Sequence, residues 1–507
     1  MPSVDTDTKK SLETPLRCTT GVPGLDDILN GGLLTNRVYL LQGDPGVGKT
    51  TLGLQFLMEG CRLGEAALYI TLSETKAELD AVAQSHGWDL SPIQILELSD
   101  MQAEMQGDGN NTFFHPSEVE LTRTKQKVLD RIAEVKPKRV VFDSLSELRL
   151  MAETPLRFRR QILDFKQYFS GRDATVIFVD DRTTGLEGHL EIESIVHGVI
   201  SLSRSTPAYG INRRQLAVRK IRGSRFREGH HDLVLTTGGM VIFPRLVAAE
   251  HRDDFNRECF SSGLKELDDL LGGGLDRGAS TMFMGPPGTG KSTLALKFQH
   301  AAALRGEKSI SFLFDETIGT LTHRATQLGL CLDKFIESGL ARIQQVDPAE
   351  IAPGEMAHRI STAVQKDGVK MVIIDSINGY LNAMPEERFL NLQLHELLTS
   401  LNQQGIITIM ILAQQGFMGQ SQSSIDLTYL ADCVLMLRYF EDHGAVRQAA
   451  SVIKKRGGNH ERTIREMSVD QGGIRVGEPL VHMHGVLTGV PIISGSGPDR
   501  SLGRSRL

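Results

Sequence analysis

The chain has little of what marks the more specialised protein classes. Five cysteines stand among 507 residues: Cys18, Cys61, Cys259, Cys331 and Cys433, odd in number and without a Cys-x-x-Cys pair. That argues against a disulfide framework or a zinc ribbon and fits a reducing cytoplasm. No run of about 18 apolar residues occurs, so no membrane span is expected. The opening stretch "MPSVDTDTKKSLETPLRC" is polar and lacks the apolar region of a secretory leader. The expected localisation is cytoplasmic. Basic charge is not in excess: 56 Lys and Arg face 62 Asp and Glu, a formal net charge of −6. Such a balance gives no electrostatic footprint for duplex nucleic acid. Tryptophan occurs once, as Trp88, and is read as a core residue.

What is present is a duplication. "GVPGLDDILNGGLLTNRVYLLQGDPGVGKTTLGLQF" begins at Gly21 and "GLKELDDLLGGGLDRGASTMFMGPPGTGKSTLALKF" at Gly263, in one ungapped register. Asp26 and Asp27 fall on Asp268 and Asp269, Lys49 on Lys291, Phe56 on Phe298 and Glu74 on Glu316. The register shifts slightly before Asp143 and Asp375, and before Lys220 and Lys454. Two copies of one domain follow, expected over residues 18–247 and 259–485. Between them lies a linker at 248–258, within the polar stretch Pro244–Cys259. Residues 1–17 and 486–507 read as flexible ends.

Within each copy, short β-branched runs alternate with longer helical patterns. The strands expected in the first are Val38–Gln42, Ala67–Leu72, Arg139–Phe142 and Thr175–Val179. In the second they are Thr281–Met284, Ser309–Phe314, Met371–Ile374 and Ile406–Leu412. Near-continuous apolar strands separated by helices imply a mainly parallel sheet covered on both faces. Gln215–Ile221 and Ala449–Ile453 are expected to add antiparallel edge strands. The fold class is α/β, two tandem P-loop domains.

The chemistry sits in that frame. Gly43-x4-Gly48-Lys49-Thr50 follows a strand and opens a helix, the setting in which a phosphate loop works. Glycines let successive backbone N–H groups curl round phosphates, and the helix N-terminus adds partial positive charge. Lys49 would reach the β- and γ-phosphates and Thr50 would offer a hydroxyl to Mg²⁺. Gly285-x4-Gly290-Lys291-Ser292 repeats each part. Asp143 and Asp375 end apolar runs, where an acid holds the water shell of magnesium. Glu74 and Glu316 each lie 25 residues after the loop lysine, and carboxyl ends of neighbouring parallel strands share one edge. Either could orient or deprotonate an attacking hydroxyl. The residue before differs: Ser73 in the first copy, Asp315 in the second, where two acids could share base and metal roles. Lys220-x-Arg222 and Lys454-x-Arg456 place two cations on one face of a strand and could act as fingers across a subunit interface. His230-His231 and His482-x-His484 lack further ligands and are not read as metal sites.

These residues resemble the KaiC and KaiC-like family of circadian clock ATPases, with tandem RecA-like domains. The likeness covers roughly residues 18–480, and its most specific parts are the tandem order, "SHGWDL" from Ser85 and "KKRGGNHERTIREM" from Lys454. It implies a homohexamer of two stacked rings with ATP between subunits. The first ring hydrolyses ATP slowly, and the second autophosphorylates serine or threonine and later removes the phosphate. Carried over by position, nucleotide contacts in the first copy are Gly46, Val47, Gly48, Lys49, Thr50, Thr51, Ser85, Lys220, Ile221, Arg222, Ser224, Thr236 and Thr237. In the second they are Gly288, Thr289, Gly290, Lys291, Ser292, Thr293, Lys454, Lys455 and Arg456. Catalysis would rest on Glu74, Asp315, Glu316, Lys49 and Lys291, and Mg²⁺ on Thr50, Asp143, Ser292, Asp315 and Asp375. The usual Glu-Glu pair of the family is here Ser73-Glu74 and Asp315-Glu316. Its usual Ser-Thr phosphoacceptors align with Thr428-Tyr429. The C-terminus looks like that of clock-less relatives, so regulation by KaiA is not expected, while a KaiB-like partner stays open. Two other readings remain: a RecA-class DNA-dependent ATPase, against which the acidic balance argues, and a scaffold in which ATP only holds a ring together.

Overall fold

The computed structural model describes residues 16–98, 116–182, 189–207, 209–382, 389–414, 427–486 and 492–493. Of the expected flexible ends 1–17 and 486–507, residues 1–15, 487–491 and 494–507 lie outside the described residues, as does most of the hydroxyl-rich stretch before Thr428. The chain forms two compact units, one from Met1–Ala208 and Asn212–Arg245, the other from Tyr209–Ile211 and Leu246–Leu507.

Each unit is built on a nine-stranded mixed sheet, mainly parallel. In the first the spatial order is Gly239–Phe243, His231–Thr236, Arg213–Ile221, Gly198–Ser205, Val38–Gly43, Thr175–Asp181, Arg139–Asp143, Ala67–Thr71 and Gln94–Glu97. The six strands from Gly198–Ser205 onward run parallel. The first three extend the sheet antiparallel. The second unit repeats this plan, with Ser280–Gly285 between Ile407–Ala413 and Cys433–Asp442. Its antiparallel extension is Ala445–Lys455, Arg465–Asp470 and Gly473–Pro479. This is the tandem RecA-like architecture expected from the alternating strand and helix patterns.

The phosphate-loop strands are buried along their whole length. Alternate side chains of such a strand feed opposite cores. Tyr39 and Leu41 join Leu52, Leu54, Phe56 and Leu57 of helix Lys49–Arg62. Val38 and Leu40 join Phe158, Ile162 and Phe165 of helix Pro155–Ser170 on the other face. Trp88 is not in the interior: it is half-buried, packs on the rim of the first core and stacks on His86 at a centroid distance of 4.6 Å. Part of the region read as a flexible tail is paired, with Ile492–Ile493 antiparallel to Met483–His484. Among the described residues no helix is long and apolar enough to cross a membrane.

Two histidines of the first unit link its stability to pH. His197 Nδ1 accepts from Val38 N at 3.1 Å, and His231 Nδ1 accepts from Arg245 N at 2.8 Å. A proton on either Nδ1 would face a donor. Burial pushes the His197 pKa down to about 4, helped by Lys166, Arg37 and Arg222. Burial likewise pushes His231 down to about 4, with Arg227, Arg245 and His230 adding to it and the Arg227 carbonyl opposing. The unfolded chain therefore binds these protons first. Stability present above about pH 6.5 is lost as pH falls toward 4. The corresponding positions in the second unit are Asp432 and Arg465. Thermal unfolding followed at pH 7.5 and pH 5 is expected to show the first unit losing more, and His231→Asn is expected to flatten that loss.

Candidate functional site

The carboxyl edge of each sheet gathers one constellation. In the first unit the loop glycines Gly46 and Gly48 have φ of 72° and 109°, and a Cβ on Gly48 would lie 2.8 Å from Met240 Cε. Only glycine fits that turn. Val47 is wholly buried beneath the loop. Gly48 caps helix Lys49–Arg62, so Lys49, Thr50 and Thr51 occupy its first turn with their N–H groups free for phosphate. Lys49 Nζ folds back onto the carbonyls of Gly43 and Asp44, both at 2.9 Å. The Thr50 hydroxyl donates to Asp143 Oδ2 at 3.1 Å, and the Tyr69 hydroxyl donates to the same oxygen at 2.6 Å. Burial holds the Asp143 carboxyl above its usual range.

Glu74 follows strand Ala67–Thr71 and precedes Thr75, which closes a capping box with Glu78 on helix Lys76–His86. The Thr71 hydroxyl accepts from Glu74 N at 2.9 Å and donates to Glu74 O at 2.7 Å. The backbone is thus fixed on both sides while the side chain faces the site. Its Oε2 is buried without a hydrogen-bond partner. Burial, with Asp143, Glu78 and Asp181 adding negative charge and Lys49 opposing, pushes its pKa to about 7. A carboxylate poised there suits proton transfer near neutral pH.

The second unit keeps the plan and changes its partners. Gly288 and Gly290 have φ of 82° and 89°, Thr289 is buried and donates to Pro286 O at 2.9 Å, and Gly290 caps helix Lys291–Leu304 over Lys291, Ser292 and Thr293. Lys291 Nζ donates to Gly285 O at 2.9 Å and Pro286 O at 2.7 Å, and burial brings its pKa down to about 8. Burial brings Asp375 up to about 6, the Ser292 hydroxyl opposing and Glu316 and Asp315 adding to it. The two adjacent acids are both engaged. Asp315 accepts from the Ser376 hydroxyl, and Glu316 is held by Arg324 through two bonds of 2.8 Å.

Other expected nucleotide contacts divide into two groups. Ser85 and the Thr236-Thr237 turn flank the loop side, where His86 Nδ1 meets Thr236 O at 2.9 Å. Lys220, Ile221 and Arg222 lie at the opposite, amino edge: Ile221 pairs with Gly198, which pairs with Tyr39 at the start of the loop strand. Ser224 is there too, bonded to Arg17 at 2.9 Å. Lys454 to Arg456 stand likewise, Lys455 opposite Cys433 and Cys433 beside Thr281. Neither motif is brought to the phosphate loop of its own unit. Lys455 turns inward, 3% exposed, onto Asp276 at 3.1 Å and the carbonyls of Leu271 and Gly274.

Motif reading passed over Tyr69, Asp181 and Arg324. All three become visible when the halves are compared by position: Ser311 replaces Tyr69, Ala413 replaces Asp181 and Val82 replaces Arg324.

Mg²⁺ in such a site is held by one hydroxyl, one acid's water shell and the phosphates themselves. Among the described residues no group of three His, Cys, Asp or Glu could hold a metal alone. Thr50 with Asp143, and Ser292 with Asp375, fit the role that leaves the remaining positions to nucleotide and water.

The family model for the KaiC ATPase matches residues 18–247 and again residues 260–481. The chain belongs to the KaiC ATPase family. Its relatives include the circadian clock oscillator protein KaiC of Parathermosynechococcus lividus, 27% identical over 93% of this chain and 87% of that one. The protein of the same description from Acaryochloris marina is 26% identical over 96% of this chain and 93% of that one. The KaiC match therefore spans both units and both phosphate loops.

Proposed function

We propose that this KaiC-family ATPase assembles as a homohexamer, hydrolyses Mg-ATP slowly at the first site and transfers phosphate to its own Thr428 or Tyr429 at the second, in timekeeping or signalling in the cytoplasm. The carrying observation is the amino-edge placement of the Lys-x-Arg motifs. Cations at that edge, away from their own loop, are suited to a neighbour's nucleotide, and this supports a reading with ATP between subunits.

The division of labour rests on what those cations hold. Lys454 Nζ donates to the carbonyls of Thr428 at 2.9 Å and Ala431 at 2.7 Å, and Arg456 to that of Tyr429 at 3.2 Å. In the first unit Lys220 donates to the Glu193 carbonyl and Arg222 to that of Ser194 at 2.7 Å. The finger and the acceptor turn are one assembly in both units. Where the second offers the Thr428 hydroxyl, the first has the carboxylate of Glu193, which cannot accept phosphate from ATP in the same way. In the transfer, the Thr428 oxygen bonds to the γ-phosphorus, the bond to the β,γ-bridging oxygen breaks and ADP leaves. The hydroxyl proton passes to the Asp315-Glu316 pair of the subunit whose loop holds that ATP. Bound magnesium would neutralise charge on the phosphates. A KaiB-like partner is compatible with this reading, and KaiA regulation is not part of it.

Incubation with γ-labelled ATP followed by mass spectrometry tests it. Label is expected at Thr428 or Tyr429 and is expected to vanish in Lys291→Ala. Absence of label from the wild-type chain would leave an ATPase and remove the kinase.

A further inference from the structure

The two phosphate loops differ in what holds their lysine. Lys49 Nζ lies 2.7 Å from Asp181 Oδ1, with Lys49 8% and Asp181 35% exposed. Asp181 ends strand Thr175–Asp181, and its Cα stands in register with Gly43, the first residue of the loop. The next backbone N–H, that of Arg182, donates to Gly43 O at 3.1 Å. The acid is therefore fixed against the loop by sheet pairing. In the second unit the same register position, opposite Gly285, is Ala413. Among the described residues no carboxylate lies within ion-pair distance of Lys291 Nζ, which has only the two loop carbonyls.

We propose that Asp181 is a positioning residue that parks Lys49 on a protein carboxylate in the nucleotide-free first site, so that the first site binds nucleotide more weakly and releases it faster than the second. The inference rests on both loops being nucleotide sites. For Lys49 to reach the β- and γ-phosphates it must leave Asp181. The carboxylate then remains beside the polyphosphate as a like charge, so it opposes binding twice: by holding the lysine beforehand and by repelling phosphate afterwards. A pair with one partly exposed member contributes modestly, so the effect is several-fold and not a switch. The second loop, with alanine in that place, carries a lysine with no ion-pair partner among the described residues. The first copy lacks an acid at Ser73, where the second has Asp315. Asp181 restores an acid to that site from a neighbouring strand, aimed at the lysine and not at the attacking hydroxyl.

The test uses the full chain and a fluorescent ADP analogue with Mg²⁺, read by equilibrium titration and by the dissociation rate on chase with unlabelled ADP. In a Lys291→Ala background, which leaves the first loop to be read, Asp181→Asn and Asp181→Ala are expected to tighten Kd by about threefold to tenfold, mostly through slower release. Asp181→Glu is expected to stay near wild type. The reciprocal change, Ala413→Asp in a Lys49→Ala background, is expected to weaken the second loop by a similar factor. Damage to the fold does not tighten binding, so the direction separates a positioning role from a structural one. Unchanged or weaker binding in both Asp181→Asn and Asp181→Ala would overturn the inference while leaving the nucleotide sites intact. Failure of the wild-type chain to bind the analogue at all, matched by a Lys49→Ala, Lys291→Ala double variant, would overturn the site reading and this inference together.

Discussion

Glu74→Gln, in a Lys291→Ala background, is expected to lower phosphate release from ATP by about a hundredfold or more, the usual scale for loss of a general base. Nucleotide affinity should remain near that of the parent, because Glu74 Oε2 has no hydrogen-bond partner to lose and the backbone of Glu74 is held by Thr71. The physical ground is the unpartnered, buried Oε2 aimed into the site. An amide of the same shape can still fill that space but cannot take a proton. A drop in kcat with little change in KM is the expected pattern. Phosphate release unchanged by the substitution would remove Glu74 from the chemistry and point to a site in which ATP only binds.

Arg139→Ala is expected to destabilise the first unit by about 2–4 kcal/mol, mostly from lost buried volume and lost hydrogen bonds, since the partner Glu65 is 36% exposed and its ion pair adds modestly. Arg139 is 1% exposed at the start of strand Arg139–Asp143. Its guanidinium bonds Glu65 at 2.5 Å, the carbonyls of Thr19 at 2.6 Å and Phe56 at 2.9 Å, and lies 4.9 Å from the centre of the Phe56 ring. Truncation empties that space and removes the guanidinium from the buried carbonyl of Phe56 and the part-buried one of Thr19. The second repeat solves the same position differently. Met371 stands where Arg139 does, and Ala302 where Gly60 does. A Cβ on Gly60 would lie 2.5 Å from Arg139 Cδ, so the arginine requires the glycine. Arg139→Met is accordingly expected to recover part of the loss, and Arg139→Met with Gly60→Ala more of it. Chemical denaturation monitored by a first-unit signal such as Trp88 fluorescence would measure both. Equal loss in Arg139→Ala and Arg139→Met would show that the charge, and not the volume, matters there.

The sequence by itself determined the duplication, the α/β class, the phosphate loops and the acids that close them. These are local or periodic signals. A loop that curls round phosphate needs glycines at fixed spacing, and a strand buried on both faces needs an unbroken apolar run. Repetition across two copies then separates such signals from chance. Glu74 and Glu316 were legible for the same reason, since each ends a strand at the edge the loop occupies. Their unequal surroundings were not. Whether a carboxylate is left unpartnered, as Glu74 Oε2 is, or gripped by an arginine two helical turns on, as Glu316 is by Arg324, depends on which side chains the helix turns toward it. The ion pair between Lys49 and Asp181 joins residues far apart in sequence, and only strand register places one beside the other. The Lys-x-Arg strands carried a readable motif but no address. Sheet pairing alone put them at the amino edge, away from their own loop, because an antiparallel strand returns its end to where the loop strand begins.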